Sequence, residues 1–120
     1  MAIVFHKESR CFHLYNDEVS YIIRIMEYEQ LEQLYYGKKI HDREDFTYLH
    51  EECMRSQMSI CVPEPGILSM QDTKQEFPTY GTGDYRSPAL TIIQENGSRI
   101  VNFTYTSHEI YNEKKDILPL

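Results

Sequence analysis

The sequence predicts a mainly β protein built of antiparallel strands, and three observations support this fold class. Ile occurs 12 times, Tyr ten times and Phe five times, whereas Ala occurs only at Ala2 and Ala89. Residues of the first kind fit the pleated surface of a sheet, and Ala-poor chains rarely form helical bundles. Apolar and polar residues alternate with a period of two in the N-terminal third, and an Asn-Gly pair joins two further segments near the C-terminus. At 120 residues the chain has room for one domain.

Residues 3–36 are expected to form three or four antiparallel strands in a meander. Apolar residues alternate with more polar ones over 12–14 and again over 21–25. The Asn-Asp pair at 16–17 is typical of a turn between two strands. Residues 20–36 also fit a helical period of 3.6, but their dense β-branching favours strands.

The middle of the chain carries a long connection rather than a periodic element. Residues 38–66 show no sustained period of either kind, and a connection of this length in a compact domain is usually functional or an interface arm. Residues 67–77 could form one short helix that begins near Ser69 or Asp72. A turn-rich block with two Gly and two Pro follows over residues 78–88.

A β-hairpin is predicted near the C-terminus. Residues 89–95 and 99–111 flank the Asn-Gly pair at 96–97. This pair supplies the two positive-φ positions of a type I′ turn, whose twist matches the flanking strands. The alternation of apolar and polar residues over 101–105 predicts one face turned inward and one turned outward.

Charge and cysteine content exclude several classes of protein. The formal net charge is −7 and the 12 Lys and Arg residues are scattered, whereas a phosphate-binding surface needs them clustered. No apolar run is long enough to cross a membrane or to serve as a signal peptide. The three Cys residues are odd in number and irregularly spaced, unlike a disulfide framework. We therefore expect a cytoplasmic protein with reduced thiols and with neither a nucleic-acid nor a membrane partner.

Two His and two Cys residues raise the question of a zinc site. His50 and Cys53 form one short pair, with Cys61 after it and His41 before it. Zinc commonly needs about four nitrogen or sulfur ligands in paired short spacings on both sides of a loop. Because only one such pair exists, small buried thiols and surface histidines explain these residues better. We expect no metal and no cofactor.

A run of carboxylates lies in the long connection and could supply an acid/base pair of the kind that glycosidases use. Such a pair needs rigid, opposed carboxyl groups about 5–10 Å apart, whereas sequential acids on a loop are more often solvated. No Ser-His-Asp set stands in a recognisable motif either. We therefore expect no catalytic residue in this chain. The carboxylates are Asp42, Glu44, Asp45, Glu51 and Glu52.

The Gly-rich stretch from Tyr80 to Arg86 is not expected to bind phosphate. It lacks both the Lys-Ser/Thr pair and the strand-then-helix context of a phosphate loop. A tight turn in which Asp84 pairs with Arg86 or with backbone amides is the better interpretation. The ten Tyr residues could stack on sugars, but the best stacking residue, Trp, is absent.

Seven segments, in order and over nearly the whole chain, resemble the N-terminal β-sandwich domain of bacterial α-galactosidases of glycoside hydrolase family 36 (melibiases). The block QEFPTYGTGDYR with ENGSRI downstream is the specific part of the resemblance. The segments are FHL (12–14), SYIIRI (20–25), LYYGKKI (34–40), QEFPTYGTGDYRSPA (75–89), ENGSRI (95–100), FTYTSHEIY (103–111) and ILPL (117–120).

This resemblance implies a multi-domain enzyme much longer than the present chain. Members of the family have an N-terminal β-supersandwich, a central (β/α)8 barrel and a C-terminal β-domain. They hydrolyse terminal α-1,6-linked galactose from melibiose and raffinose-type oligosaccharides with retention of configuration. Their two catalytic Asp residues lie in the barrel. Residues 1–120 are therefore expected to be an N-terminal structural and oligomerisation segment, without the barrel and without catalysis of its own.

The resemblance also implies one substrate-binding residue. In tetrameric members the long loop of this domain reaches the active site of a neighbouring subunit, where an Asp followed by an Arg approaches the sugar. The matching positions here are Met54 and Arg55, so only Arg55 is carried over. We expect a homo-oligomer, a dimer or higher, with contacts along the 89–111 hairpin and the 38–66 connection. The alternative is a free-standing carbohydrate-binding β-sandwich module that would use the Tyr-rich faces and the same connection.

Overall fold

The computed structural model describes residues 1–51, 69–81 and 83–114. Within these ranges, four strands form one sheet in the order β1-β2-β3-β4, with each strand antiparallel to its neighbour. The mainly antiparallel β fold class and the N-terminal meander are confirmed, and the helical alternative for residues 20–36 is wrong. The elements are β1 (Ala2–His6), β2 (Cys11–Tyr15), β3 (Val19–Ile25), β4 (Leu31–Lys38) and a short 3₁₀ helix (Thr47–Leu49).

The turn between β2 and β3 forms as the Asn-Asp pair predicts. The side-chain oxygen of Asn16 accepts hydrogen bonds from the backbone N–H groups of Glu18, at 2.8 Å, and Val19, at 2.7 Å. An Asn side chain that caps its own turn in this way replaces the backbone partners that the turn residues lose.

The other two turns of the meander each contain a residue in the left-handed region. These residues are Arg10, with a φ of 56°, and Glu29, with a φ of 69°. The Nη2 atom of Arg10 donates to Glu29 Oε2 at 2.6 Å, so the two turns are tied together at one end of the sheet.

A buried cluster covers the inner face of the sheet, defined here as the face that bears Cys11, Ile22 and Leu34. Each of these residues comes from a different strand, and Phe46 from the long connection belongs to the same buried cluster. Phe46 is fully buried. The core therefore lies between the sheet and the segment that follows β4.

The outer face of the sheet is only partly covered. Phe5 and Phe12 are partners in the β1–β2 register, and the ring of His108 packs against them at centroid distances of 4.4 and 4.7 Å. A largely apolar cavity of about 300 Å³ remains between this face and residues 105–110. The C-terminal segment thus lies across the outer face without filling the space beneath it.

The prediction of a type I′ hairpin over residues 89–111 is wrong. Gly97 donates to the carbonyl of Gln94 at 2.9 Å and has a φ of 80°, whereas Asn96 is not in the left-handed region. The turn is therefore centred on residues 95–96 with Gly97 following as a bulge, which is the three-residue hairpin loop. No strand is assigned in the described part of 89–111.

Competing partners explain why the long hairpin ladder is absent from this region. The N–H of Val101 donates to the carbonyl of Tyr80 at 3.0 Å, and the N–H of Tyr105 donates to the carbonyl of Glu29 at 2.7 Å. These bonds direct the segment toward the sheet and the 78–81 turn rather than toward residues 89–95.

The short helix considered for residues 67–77 is not formed in the described part, which begins at Ser69. The backbone N–H of Asp72 donates to the carbonyl of Ser69 at 3.3 Å, which closes a single turn. The chain then extends, and Gln75 forms an antiparallel bridge with Glu32 on β4. Pairing with the edge of the sheet satisfies backbone groups that a helix would otherwise have to satisfy internally.

Gly81 and Gly97 provide a matched test of how closely the 78–81 turn approaches Ile100. A Cβ atom at Gly81, which has a φ of 100°, would lie 2.5 Å from Cγ2 of Ile100, whereas a Cβ atom at Gly97 would meet nothing within 4 Å. Gly81→Ala should therefore cost about 2–3 kcal/mol of unfolding free energy from backbone strain and overlap together, and Gly97→Ala about 1 kcal/mol from backbone strain alone. Urea denaturation of both variants measures the difference, and equal losses would contradict the close approach of Ile100.

Candidate functional site around Glu32

A buried carboxylate lies at the start of β4, opposite Arg24 on β3. Glu32 is 1% exposed, and its two carboxylate oxygens have different basic partners. Arg24 Nη2 donates to Oε2 at 2.6 Å, and His50 Nδ1 donates to Oε1 at 2.6 Å. We call Arg24, Glu32 and His50 the Glu32 cluster. Two charge-assisted bonds at this distance are the strong kind, and they compensate for the desolvation of the carboxylate.

Local structure brings the three side chains together. Arg24 and Glu32 are direct partners in the β3–β4 register, after a register shift in β3. His50 follows the 3₁₀ helix, which begins where the Asp45 carboxylate accepts the N–H of Thr47 at 2.7 Å. The cluster therefore depends on the β3–β4 register, which pairs Arg24 with Glu32, and on the turn at residues 45–47, which precedes His50.

The chain returns to the same strand after the connection. The N–H of Gln33 donates to the carbonyl of Lys74 at 2.8 Å, next to the bridge between Glu32 and Gln75. Lys74 also pairs with Glu51 at 2.6 Å, although both side chains are largely exposed and such a pair contributes little to stability. His50 before residues 52–68, and Lys74 and Gln75 after them, thus contact β4.

Tyr21 adds a further link between the sheet and the returning segment. Its hydroxyl donates to the carboxylate of Glu76. Burial, together with the hydrogen bond to Glu76 and its negative charge, raises the pKa of Tyr21 well above its ordinary value. Tyr21 is therefore held in the neutral, hydrogen-donating form.

A second ion pair, between Asp84 and Arg86, contacts residues 69–76, which return to β4. Asp84 is 4% exposed, and Arg86 donates to both of its oxygens, from Nε and Nη2, at 3.0 Å each. Arg86 Nη2 also donates to the carbonyls of Met70, at 2.8 Å, and Thr73, at 2.7 Å. Burial alone would raise the pKa of Asp84, but the hydrogen bonds and charge of Arg86 hold it below its usual range.

The Asp84–Arg86 pair confirms the prediction for the Gly-rich stretch. Asp84 donates its N–H to the carbonyl of Gly81 at 3.3 Å in a tight turn, and its carboxylate faces Arg86. The stretch therefore holds residues 70–73, because Arg86 bonds to the carbonyls of Met70 and Thr73.

The structure also assembles a polar chain that sequence reasoning missed. His6 Nε2 and His13 Nδ1 lie 2.9 and 2.7 Å from the same oxygen of Asp42, and His13 Nε2 lies 2.9 Å from Ser20 Oγ. The only sequence signal was a His at an alternating core position of β2, which needs a polar partner when it is buried.

This Ser-His-Asp order does not make a nucleophile. Ser20 and His13 are both fully buried. Ser20 Oγ also accepts the N–H of Ile40 at 3.0 Å, so the hydroxyl serves the backbone after β4. The chain of contacts fixes the start of the connection on the inner face of the sheet and gives no substrate access to Ser20.

The contacts of Asp42 predict a pH dependence of stability. Burial raises its pKa, but hydrogen bonds to His6 and His13 outweigh this effect and hold the pKa below its usual range. A lowered folded-state pKa stabilises the protein above the unfolded value of about 3.9, and the benefit disappears as the pH falls through the folded-state pKa. The difference in Tm between the wild type and Asp42→Asn should therefore shrink as pH falls from 6 to 3. Thermal scans over this range measure it, and a difference that does not change with pH would contradict the ionic role.

The described residues cover only part of the other sequence-predicted candidates. Glu52, Cys53, Arg55 and Cys61 lie outside the described residues. Asp42, Asp45 and Glu51 each have separate partners, given above. Among the residues that the structure describes, no group of three or more His, Cys, Asp or Glu side chains could hold a metal ion. Over the same residues, no helix has the length and apolar character needed to span a membrane.

The fold and the site together define a β-domain in which buried ion pairs hold the described residues that precede and follow 52–68. The family model described as the glycosyl hydrolase family 36 N-terminal domain matches residues 29–120. The chain belongs to this family, which confirms the resemblance seen in the sequence.

Known relatives match almost the whole chain. Over 114 residues, 95% of the chain, it is 28% identical to alpha-galactosidase AgaA of Geobacillus stearothermophilus. It is 30% identical over the same share to the bifunctional alpha-galactosidase/sucrose kinase AgaSK of Mediterraneibacter gnavus. The chain spans only 16% of the first protein and 12% of the second.

Solved structures match in the same way. The galactosidase domain of AgaSK superposes with a TM-score of 0.84 at 28% identity, covering 98% of this chain and 16% of that one. The α-galactosidase of Lactobacillus brevis gives a TM-score of 0.73 at 34% identity, covering 82% of this chain and 13% of that one.

Proposed function

We propose that this chain is the N-terminal structural and oligomerisation domain of an α-galactosidase that hydrolyses terminal α-galactosides of the melibiose and raffinose type. The observation that carries the proposal is the match of 95% of the chain to α-galactosidases, of which it spans only a small part. The chain itself contributes no catalytic group in this proposal. The described carboxylates support this reading, because those that are buried are already bound by basic side chains.

The 38–66 connection is the part of the domain that we propose approaches substrate, through Arg55. This role comes from the family resemblance, in which an Arg of the corresponding loop contacts sugar in a neighbouring subunit. In support, His50 and residues 74–76, which lie on either side of 52–68 in the chain, contact β4.

The partner in this proposal is a second copy of the same polypeptide. Large apolar side chains remain exposed on the 89–111 segment, including Ile93 at 64%, Ile100 at 63% and Phe103 at 45%. Exposed apolar groups of this kind mark interaction surfaces. Light scattering after size exclusion should report at least twice 14.3 kDa at micromolar concentration. A folded monomer under these conditions would count against the oligomerisation role.

Hydrolysis of p-nitrophenyl α-galactoside tests the activity proposal directly. The polypeptide that carries this chain together with a catalytic barrel should turn over the substrate, and residues 1–120 alone should not. Turnover by the 120-residue chain that disappears in variants of its own carboxylates would overturn the non-catalytic role.

A carbohydrate-binding module is the second candidate, because aromatic side chains are available on the surface. Tyr36, Tyr48 and Tyr85 are 69%, 59% and 78% exposed, and Tyr rings can cover the apolar faces of sugars. Calorimetric titration of the chain with galactose, melibiose and raffinose separates the candidates. Saturable binding at millimolar or tighter affinity favours the module, and the absence of heat favours the structural domain.

A further inference from the structure

We propose that β1 is an interaction surface for a second copy of this chain, which adds its own β1 to the open edge of the sheet. The two strands run antiparallel around a two-fold axis at Val4. This inference rests on the oligomerisation role in the proposed function, and it assigns that role to a surface separate from the 89–111 segment.

Hydrogen bonds at the two ends of β2 show which of its backbone groups point toward β3. Asn16, just after the strand, donates its N–H to the carbonyl of Val19 at 3.1 Å. At the other end, Ile25 donates its N–H to the carbonyl of Arg10 at 3.0 Å. Antiparallel neighbours alternate between hydrogen-bonded and non-hydrogen-bonded pairs, so the even-numbered residues of this stretch bond to β3. The odd-numbered residues therefore bond to β1.

The backbone groups of Ile3 and Phe5 consequently point to the open edge of the sheet. The odd-numbered residues of β2 pair in register with Ala2, Val4 and His6, which leaves Ile3 and Phe5 facing away from β2. In the described ranges, no backbone group bonds to them from that side. Where residues 109–114 approach, a cavity of about 700 Å³ lies between them and residues 1–3. Unpaired N–H and C=O groups along an edge are a template for another strand.

β1 lacks the features that protect an edge strand. Its sequence, AIVFH, contains no Pro and no acidic residue, Lys or Arg, and its register with β2 is unbroken. The opposite edge of the sheet is protected, because residues 74–76 bond to the first residues of β4 and the strand ends in a Lys. The described part of the sheet therefore has one edge that the chain covers itself and one that stays open.

The order of residues in β1 selects a second copy as the partner. With the two-fold axis at Val4, all five residues pair, and the outward N–H and C=O groups of Ile3 meet those of Phe5 in the second copy. A β-branched side chain opposite an aromatic one is a favourable cross-strand pair. Val4 faces its own equivalent, and no two like charges meet within the strands. The ring of Phe5 already packs against Phe12 at a centroid distance of 4.5 Å, so the paired strands continue the apolar outer face.

A charge swap at Val4 tests the pairing by light scattering of the 120-residue chain. Val4→Lys and Val4→Glu each place like charges opposite one another across the two-fold axis, so each should raise the dissociation constant of the dimer at least about tenfold. An equimolar mixture of the two variants places opposite charges there and should restore a dimer. Val4→Thr, which is β-branched and uncharged, is the matched control and should stay dimeric.

Hydrogen exchange of the wild type is the second measurement, and it does not depend on how well the variants fold. The amide protons of Ile3 and Phe5 face the open edge, so they should lose their protection on dilution below the dissociation constant. The amide proton of Val4 bonds to β2 and should keep its protection at both concentrations.

The outcomes separate this inference from the proposed function. The β1 pairing would be overturned by dimers that persist in both charged variants, by a mixture that stays monomeric, or by exchange at Ile3 and Phe5 that does not change with concentration. The oligomerisation role would then belong to another surface. A wild-type chain that is folded and monomeric would overturn the oligomerisation role, and the β1 pairing with it.

Discussion

Asp84→Ala is expected to lower the free energy of unfolding by about 3 kcal/mol, near the lower end of the range for a broken buried ion pair. The carboxylate is almost fully buried and receives hydrogen bonds from Arg86 and from Gln75, the latter at 2.9 Å. Its loss leaves these donors facing an apolar methyl group. The cost stays at the lower end because the Arg86 side chain is 45% exposed and can still reach water.

Urea denaturation at neutral pH measures this effect. Asp17→Ala, in the exposed turn between β2 and β3, is the control and should change the unfolding free energy by less than about 0.5 kcal/mol. Asp84→Asn, which keeps one acceptor oxygen, should fall between the two. Similar values for Asp84→Ala and Asp17→Ala would show that the pair does not hold the returning segment.

Phe46→Ala is expected to cost about 4 kcal/mol, within the range for removal of a buried aromatic side chain. Phe46 is completely buried, and its ring meets the edge of the His13 ring at a centroid distance of 5.1 Å. The substitution leaves a cavity between the sheet and the connection, lined by the other members of the core cluster. It also removes the apolar contact that keeps water from the buried end of His13.

Phe77→Ala is the matched control for this variant, because Phe77 is 53% exposed. It should cost less than about 1 kcal/mol, in keeping with a partly exposed site. Chemical denaturation of both variants gives the comparison. Equal losses would mean that the space under Phe46 can collapse after truncation, so that the core does not depend on this side chain.

The meander was predictable because its information is local. Alternation in β2 and β3 decides which side chains face the core, and the Asn16 side chain forms its turn with the next three residues. The Asp84–Arg86 pair was predictable for the same reason, since its members are two positions apart in a turn-rich stretch. Family membership also followed from contiguous blocks of sequence.

The candidate site was not predictable to the same extent. Arg24, Glu32 and His50 meet only after β3 and β4 pair with a shifted register and the connection folds back on them. Asp42 looked like one of several solvated acids, yet its partner His6 is 36 residues away along the chain. No periodicity or motif links residues at such separations.

The hairpin prediction failed because distant backbone groups compete with the hairpin ladder for hydrogen bonds. An Asn-Gly pair does favour a reversal of the chain, and the chain does reverse there. The turn type and the missing ladder depend instead on bonds from Val101 to Tyr80 and from Tyr105 to Glu29. These partners lie in parts of the chain that local propensity does not consider.

The amino-acid sequence by itself determined the β class, the four-strand meander, the Asp84–Arg86 turn and the family, because each depends on periodicity or on residues close together in the chain. The tertiary structure alone decided which acids are buried and which bases pair with them. It also decided that His50 and Gln75, 25 residues apart in the chain, both contact Glu32. The physical reason is that a carboxylate acquires its role from desolvation and from charged partners, and both depend on contacts between distant segments.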